Sequence, residues 1–211
     1  MYDSVIFDLD GTLLDTLDDL ADSVDHSLRK FGFRTRSIDE IQHFIGHGIA
    51  DLIRRSLPDG HTDDDFKSVF AEFREYYPLH AADKTKPYPG IVSLLEELKE
   101  KGIATAVVSN KKDPIVNSLT DSFFPGLIDI SIGERDGVPK KPDPASVIEA
   151  MDRLKSSSPL YVGDSEVDLE TASNAHVDCC LVTWGFGYGI KKMPAEWTAD
   201  TVDDLKALFH I

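Results

Sequence analysis

The stretch VIFDLDGTLLDT, residues 5–16, decides the fold, because an apolar run leads directly into two carboxylates and a glycine. This pattern predicts the first strand of an α/β sheet, and such sheets bind ligands at the carboxyl ends of their strands. Asp8 and Asp10 are two apart on a strand and project the same way. A divalent cation would relieve the repulsion between them, while Gly11 lets backbone N–H groups approach an anion. The stretch predicts a nucleophile, a metal ion and a phosphate together; the alternative is an acidic turn that caps the next helix.

Composition excludes several classes of function. The 211 residues carry a formal net charge of -16, with 38 Asp and Glu against 22 Lys and Arg, so neither nucleic acid nor an anionic membrane is an expected partner. The amino terminus has no basic flank, and its apolar run is too short for a signal peptide or a membrane span. The adjacent cysteines, Cys179 and Cys180, fit neither a disulfide with each other nor a zinc site. We expect a cytoplasmic protein in a reducing compartment.

Helical patterns follow the first strand before any further strand. Apolar residues recur at helical spacing from Leu17 to Phe31, and Ser37 with Glu40 forms a capping-box pattern that begins a second helix. A third helix is expected after Gly48, and a fourth, beginning after Thr62, carries an aromatic stripe that we interpret as core packing. These segments predict a helical domain, residues 16–83, inserted into a core of residues 1–15 and 84–211.

From residue 86 onward the chain alternates helices and strands, as a doubly wound parallel α/β sheet requires. The predicted strands are 104–109, 128–132, 160–162 and 179–182, the last of the sheet. Helices are predicted over 91–101, after Pro144, near Val167 and over 203–209. Glycines at 185–189 predict a mobile loop.

Phosphate-handling side chains follow three of the later strands. Ser109 and Asn110 would offer a hydroxyl and backbone N–H groups at a helix start. Lys141, between stiffening prolines, could reach back to the first strand, and Asp164 and Asp168 lie four apart on one helix face. Each has a plainer interpretation: Ser109 as an N-cap, Lys141 in solvent, Asp164 as an N-cap and Asp168 solvated. Their order along one chain favours a single phosphate site.

From Asp8 to Asp168 the chain resembles the phosphatases of the haloacid dehalogenase superfamily that carry a helical cap after the first motif. The resemblance implies that Asp8 is the nucleophile and Asp10 the general acid and base. Dehalogenases of the superfamily lack an acid at the position of Asp10, so phosphoryl transfer is expected rather than C–Cl cleavage. Residues 16–83 would be the cap.

The same resemblance implies a cofactor and the remaining site residues. Mg²⁺ would be held by Asp8, the Asp10 carbonyl and Asp164. Asp168 would support the metal site without binding the ion directly. The residues expected to bind the substrate phosphate are Gly11, Ser109, Asn110 and Lys141.

The cap is expected to select the substrate. Its Gly46-His47-Gly48 turn resembles the caps of phosphoglycolate phosphatases, and N–H groups at the following helix start could hold a carboxylate. His47 as a solvated loop residue is the alternative. We expect a small phosphorylated metabolite, with 2-phosphoglycolate favoured, and a monomer or homodimer.

Other functions remain open from the sequence. Within the superfamily these are a sugar-phosphate phosphatase or mutase and a pyrophosphatase; mutases commonly have an acid where Gly163 stands. Outside it, a phospho-accepting receiver-like module would place its acceptor Asp after a later strand, and a catalytically silent binding protein would show no phosphate release.

Overall fold

The chain forms two compact units. The computed structural model describes residues 2–46 and 48–211, so Met1 and His47 lie outside the description. One unit comprises Met1–Asp15 and Pro87–Ile211, and the other comprises Thr16–Lys86. The predicted insertion, residues 16–83, ends shortly before the second unit does. Its role as a cap stays a prediction.

The first unit is built on a six-stranded sheet in which every neighbouring pair is parallel. The strand order is β5-β4-β1-β6-β7-β8, so β4 and β5 lie on one side of β1 and the later strands lie on the other. This order confirms the predicted doubly wound α/β architecture. A separate two-stranded sheet pairs β2 with β3. The strands are β1 Ser4–Phe7, β2 Leu14–Asp15, β3 Lys86–Pro87, β4 Ala104–Lys112, β5 Ile130–Glu134, β6 Pro159–Gly163, β7 Asp178–Val182 and β8 Trp197–Ala199.

Apolar side chains cover both faces of the large sheet. Val5 and Phe7 point into one core and Ile6 into the other, because successive strand residues face opposite sides. Such burial on two faces explains why the strands read as continuous apolar runs. The first core receives the helices α5 Ile91–Glu100, α6 Asp113–Phe123 and α9 Val202–Ala207, and the second receives α7 Ala145–Leu154 and α8 Glu166–Ala175.

Helices make up the regular secondary structure of the second unit in its described residues, apart from Lys86, where β3 begins. They are α1 Leu17–Lys30, α2 Ile38–Phe44, α3 Ile49–Ser56 and α4 Asp63–His80. The predicted capping box of Ser37 and Glu40 is confirmed at the start of α2. On α4, Val69 and Phe73 are fully buried, which confirms core packing for these members of the predicted stripe.

Several elements differ from the sequence prediction. Helix α6 begins at Asp113, later than the helix start predicted at Ser109 and Asn110, and strand β8, which has only three residues at the sheet edge, was not predicted. Strand β4 extends to Lys112, past an irregular register after Val108. The chain therefore stays extended through Ser109 and Asn110.

None of the helices in the described part of the chain combines the length and apolarity that crossing a membrane requires.

A buried carboxylate fixes the end of the helical unit. Asp19, on α1, is 2% exposed and accepts hydrogen bonds from the backbone N–H groups of Lys84 at 3.0 Å and Thr85 at 2.8 Å. Buried N–H groups that lose their acceptor are costly. Asp19 therefore ties the first helix of this unit to its last residues.

Replacing Asp19 should destabilise the helical unit. We expect Asp19→Ala to lower the free energy of unfolding by about 1–3 kcal/mol, because two backbone donors lose their partner. Asp18→Ala is the matched control: Asp18 is exposed in the same first helical turn, so both variants lose the same favourable charge near the helix N-terminus. Urea unfolding followed by far-ultraviolet circular dichroism measures the difference. Equal losses in the two variants would contradict this role for Asp19.

Candidate active site

The ends of two adjacent strands bring Asp8 and Asp164 together. Asp8 follows β1 and Asp164 follows β6, and these strands pair in register, with Phe7 opposite Val162. The Asp8 N–H donates to the Val162 carbonyl oxygen at 2.8 Å. Asp8 and Asp164 are 8% and 3% exposed, respectively. Both carboxylates therefore lie buried at the carboxyl edge of the sheet, where the sequence places the site.

Lys141 links two of the buried carboxylates. Its Nζ lies 2.8 Å from Asp8 Oδ1 and 2.8 Å from Asp168 Oδ1. The Tyr161 hydroxyl donates to Asp168 Oδ1 at 3.1 Å and lies 3.1 Å from Lys141 Nζ. Lys141 thus reaches the first strand as predicted, and its interpretation as a solvated lysine is wrong. Tyr161 was missed because it reads as one apolar residue of a buried strand.

Asp168 supports the cluster with all its oxygens engaged. Its Oδ2 accepts hydrogen bonds from the backbone N–H groups of Asp164 and Ser165 at 3.2 and 3.1 Å and from Ser165 Oγ at 2.6 Å. Ser165, rather than Asp164, is the N-cap of α8. Asp168 is fully buried, so the alternatives of an Asp164 cap and a solvated Asp168 are both wrong.

A glycine-rich loop holds the Asp164 carboxylate. Asp164 Oδ2 accepts hydrogen bonds from the N–H groups of Phe186 at 2.6 Å and Gly187 at 3.3 Å. Gly11 has φ +83°, and a Cβ there would lie 2.3 Å from Asp164 Oδ2. The sequence shows the glycines at 185–189 but indicates no chemistry for them, because their contacts arise only in the folded chain.

Burial and mutual repulsion perturb the site's acidic groups. Burial raises the pKa of Asp8 to about 7, Lys141 opposes the rise, and the charge of Asp168 adds to it. Burial, with the charges of Asp168 and Asp8, also raises the pKa of Asp164 well above its usual range. Burial lowers the pKa of Lys141, but the Asp168 and Asp8 carboxylates outweigh it and raise that pKa well above its usual value. Lys141 is therefore a permanent cation that opposes only part of the negative charge.

The donor set fits a divalent cation. Carboxylate oxygens of Asp8, Asp164 and Asp168 lie within 4.8 Å of one another. Hard cations such as Mg²⁺ and Ca²⁺ prefer oxygen ligands. Since the Asp168 oxygens already accept hydrogen bonds, Asp8 and Asp164 are the side chains best placed to contact an ion, and Asp168 orients them.

Asp10 lies beside a lysine that the sequence analysis did not assign to the site. Lys111 Nζ donates to Asp10 Oδ1 at 2.8 Å and Oδ2 at 3.0 Å. The Asp10 side chain is 16% exposed and that of Lys111 is 3% exposed. Lys111 directly follows Ser109-Asn110, so its position along β4 was the available signal.

Ser109 and Asn110 lie on β4, not at a helix start. Helix α6 begins at Asp113, so the expectation of helix N–H groups around Ser109, and its alternative as an N-cap, are wrong. Ser109 is 6% exposed, at the carboxyl end of β4. The Asn110 side chain makes two hydrogen bonds to the Lys141 backbone. Its Oδ1 accepts one from the Lys141 N–H at 2.9 Å, and its Nδ2 donates one to the Lys141 carbonyl oxygen at 3.1 Å. Asn110 thus positions Lys141 against the sheet.

The predicted cap residues are described only in part. His47 lies outside the described residues, and Gly48 is the N-cap of α3. The two arginines of α3 already have partners in the helical unit: the Arg54 guanidinium lies 4.2 Å from the Phe66 ring centroid, and Arg55 pairs with Asp51 at 2.8 Å. Both arginine side chains are therefore engaged within the described part of the helical unit.

The chain is similar in sequence and in fold to known proteins. The model of the haloacid dehalogenase-like hydrolase family matches residues 5–182. A phosphoglycolate phosphatase of Pseudomonas putida is 34% identical over 212 aligned positions, covering 97% of this chain and 77% of that protein. One from Aquifex aeolicus is 33% identical, with 86% and 85% covered. A solved structure from Lactobacillus delbrueckii subsp. bulgaricus, provisionally described as a phosphoglycolate phosphatase, has a TM-score of 0.91 at 32% identity and covers 98% of both chains.

Adding a methyl group at Gly11 should disturb the site. We expect Gly11→Ala to lower the free energy of unfolding by about 1–3 kcal/mol more than Gly189→Ala does, because its Cβ overlaps Asp164. Gly189 is the matched control, since its φ of +70° imposes similar backbone strain while nothing lies within 4 Å of its Cβ. Chemical denaturation of both variants measures the difference, and equal losses would contradict the close approach of Gly11 to Asp164.

Proposed function

Because the chain belongs to the haloacid dehalogenase-like hydrolase family and is a phosphoric monoester hydrolase, we propose that it hydrolyses 2-phosphoglycolate with Mg²⁺ through an aspartyl-phosphate on Asp8. One observation carries the proposal: a buried Asp8 carboxylate lies 2.8 Å from Lys141 beside the carboxylates of Asp164 and Asp168. A nucleophile next to a fixed cation and a set of metal ligands is what transfer of an anionic phosphoryl group requires.

The first half of the reaction transfers the phosphoryl group to Asp8. An Asp8 oxygen forms a bond to phosphorus while the bond from phosphorus to the ester oxygen breaks. Asp10 donates its proton to that departing oxygen and is left as a carboxylate. Lys141 opposes the negative charge that nucleophile and phosphate bring together, and Ser109 and Gly11 would offer donors to the phosphoryl oxygens.

The second half restores Asp8. The Asp10 carboxylate takes a proton from water as the water oxygen bonds to phosphorus and the bond between Asp8 and phosphorus breaks. Inorganic phosphate leaves, and Asp10 is again protonated. One residue therefore serves as acid and then as base.

Magnesium is the cation that we propose for the site. Asp8, Asp164 and the Asp10 carbonyl would hold it, and when bound it would supply neutralisation of charge on the nucleophile and the phosphoryl oxygens. Mg²⁺ suits this task better than Ca²⁺, whose coordination is larger and less regular.

Metal binding should depend on Asp164. Asp164→Asn should weaken Mg²⁺ binding by at least about tenfold, because a charged ligand is lost. Asp203→Asn, a change of an exposed carboxylate on α9, should leave binding unchanged. Isothermal titration calorimetry measures the affinity.

EDTA should abolish phosphatase activity, Mg²⁺ should restore it, and Ca²⁺ should restore it poorly. Full activity in EDTA would contradict the proposal.

Two observations support a small carboxylated substrate. The curated relatives from Pseudomonas putida and Aquifex aeolicus are phosphoglycolate phosphatases. The unit Thr16–Lys86, which we take to be the cap, carries a glycine N-cap at α3 whose N–H groups could receive a carboxylate. We propose that His47 contributes to the same site.

A mutase activity fits this chain less well than hydrolysis. Gly163 stands where mutases commonly carry an acid, and a Cβ there would lie 2.3 Å from Asp168 Cγ. A larger side chain would displace the carboxylate that supports Lys141 and Asp164. Hydrolysis to free phosphate is therefore the proposed outcome.

Substrate choice should appear in a panel of phosphate esters. We expect the highest kcat/KM for 2-phosphoglycolate, and His47→Ala should raise KM for it far more than for 4-nitrophenyl phosphate, which has no carboxylate to bind. Steady-state phosphate release measures both. A sugar phosphate or pyrophosphate that exceeds phosphoglycolate tenfold in kcat/KM, about 1.4 kcal/mol, would overturn the substrate and leave the mechanism standing.

A further inference from the structure

The strongest feature that the proposed reaction does not use is the ion pair of Lys111 and Asp10. Lys111 Nζ contacts both Asp10 oxygens, at 2.8 and 3.0 Å. With 3% of its side chain exposed, Lys111 is almost completely removed from water. Removing an ammonium group from water is expensive, and the contacts with the two Asp10 carboxyl oxygens offset part of that cost.

The two lysines at this edge of the sheet divide the carboxylates between them. Lys141 pairs with Asp8 and Asp168, whereas Lys111 pairs with Asp10. The lysine that contacts Asp10 is therefore a different residue from the one that contacts the proposed nucleophile.

The neighbouring lysine, Lys112, pairs with a different carboxylate. Its side chain is 38% exposed and donates to Glu134 at 2.9 Å. Lys112 thus provides a matched lysine on the same strand without contact to Asp10.

Lys111 also connects Asp10 to a predicted phosphate ligand. Its backbone N–H donates to Ser109 Oγ at 3.3 Å while its side chain reaches Asp10. One residue therefore fixes the spacing between the Ser109 hydroxyl and the Asp10 carboxylate.

We propose that Lys111 is a positioning residue that orients the Asp10 carboxyl group for proton transfer. The inference rests on the proposed function, in which Asp10 moves protons. Contact of Lys111 with both oxygens restricts rotation of the Asp10 carboxyl group. Proton transfer needs this geometry, because a misplacement of about 1 Å can cost about 100-fold in rate.

The dependence of rate on the leaving group separates this role from a merely structural one. Nitrophenolate departs with little protonation, whereas an alkoxide needs a proton from Asp10. Loss of general protein integrity would slow both classes of ester alike. Loss of Asp10 orientation would slow the alkyl ester selectively.

The experiment compares Lys111→Met with Lys112→Met at saturating Mg²⁺. For each, kcat/KM is measured with 4-nitrophenyl phosphate and with the alkyl phosphate that the unmodified enzyme hydrolyses fastest. We expect Lys111→Met to lose about 10–100-fold on the alkyl phosphate and less than about threefold on the aryl one, and Lys112→Met to retain both rates. Lys111→Gln, which keeps a polar side chain but loses the charge, serves if Lys111→Met does not fold and should show the same selectivity.

A double variant makes the test sharper. If Lys111 acts through Asp10, then Lys111→Met combined with Asp10→Asn should be no slower on the alkyl phosphate than Asp10→Asn alone. Equal losses on the two esters, or additive losses in the double variant, would overturn the inference. Hydrolysis of 4-nitrophenyl phosphate by the unmodified enzyme reports separately on the proposed function; its absence would overturn both.

Discussion

The site depends on one buried lysine that bridges two carboxylates. Lys141 contacts Asp8 and Asp168 at 2.8 Å each, and none of the three side chains is more than 12% exposed. Removing one partner of such a buried pair generally costs about 3–5 kcal/mol, because the other charge is left uncompensated. The position of the proposed nucleophile is therefore fixed by an interaction that the fold cannot easily lose.

The surrounding architecture serves this charge cluster. The parallel strands β1 and β6 place Asp8 and Asp164 at the same edge of the sheet. Asn110 accepts a hydrogen bond from the Lys141 backbone, and the Ser165 hydroxyl donates one to Asp168. Even so, burial and the neighbouring carboxylates raise the pKa values of Asp8 and Asp164 despite Lys141. A bound divalent cation would offset the repulsion among these carboxylates.

Local sequence patterns predicted much of this arrangement. Three patterns predicted the parallel sheet and the carboxylates at its carboxyl edge: the apolar run before Asp8, the alternation of helices and strands, and the spacing of Asp164 and Asp168. They could do so because periodicity and strand ends are local properties of the sequence. Contacts between distant segments were not predictable in the same way. Tyr161 reads as core, and the N–H groups of Phe186 and Gly187 carry no side-chain signal. Ser109 was misplaced at a helix start because β4 continues past it as an irregular strand.

The central claim is that Asp8 becomes covalently phosphorylated during turnover. The most direct measurement is acid quenching of the enzyme during rapid hydrolysis of an aryl phosphate with Mg²⁺, followed by mass spectrometry of the peptide that contains residues 5–16. The account predicts a fraction of this peptide that is heavier by one phosphoryl group, located on Asp8 and absent without Mg²⁺. Rapid turnover with no phosphorylated peptide at any quench time, or phosphorylation at another residue, would contradict the account.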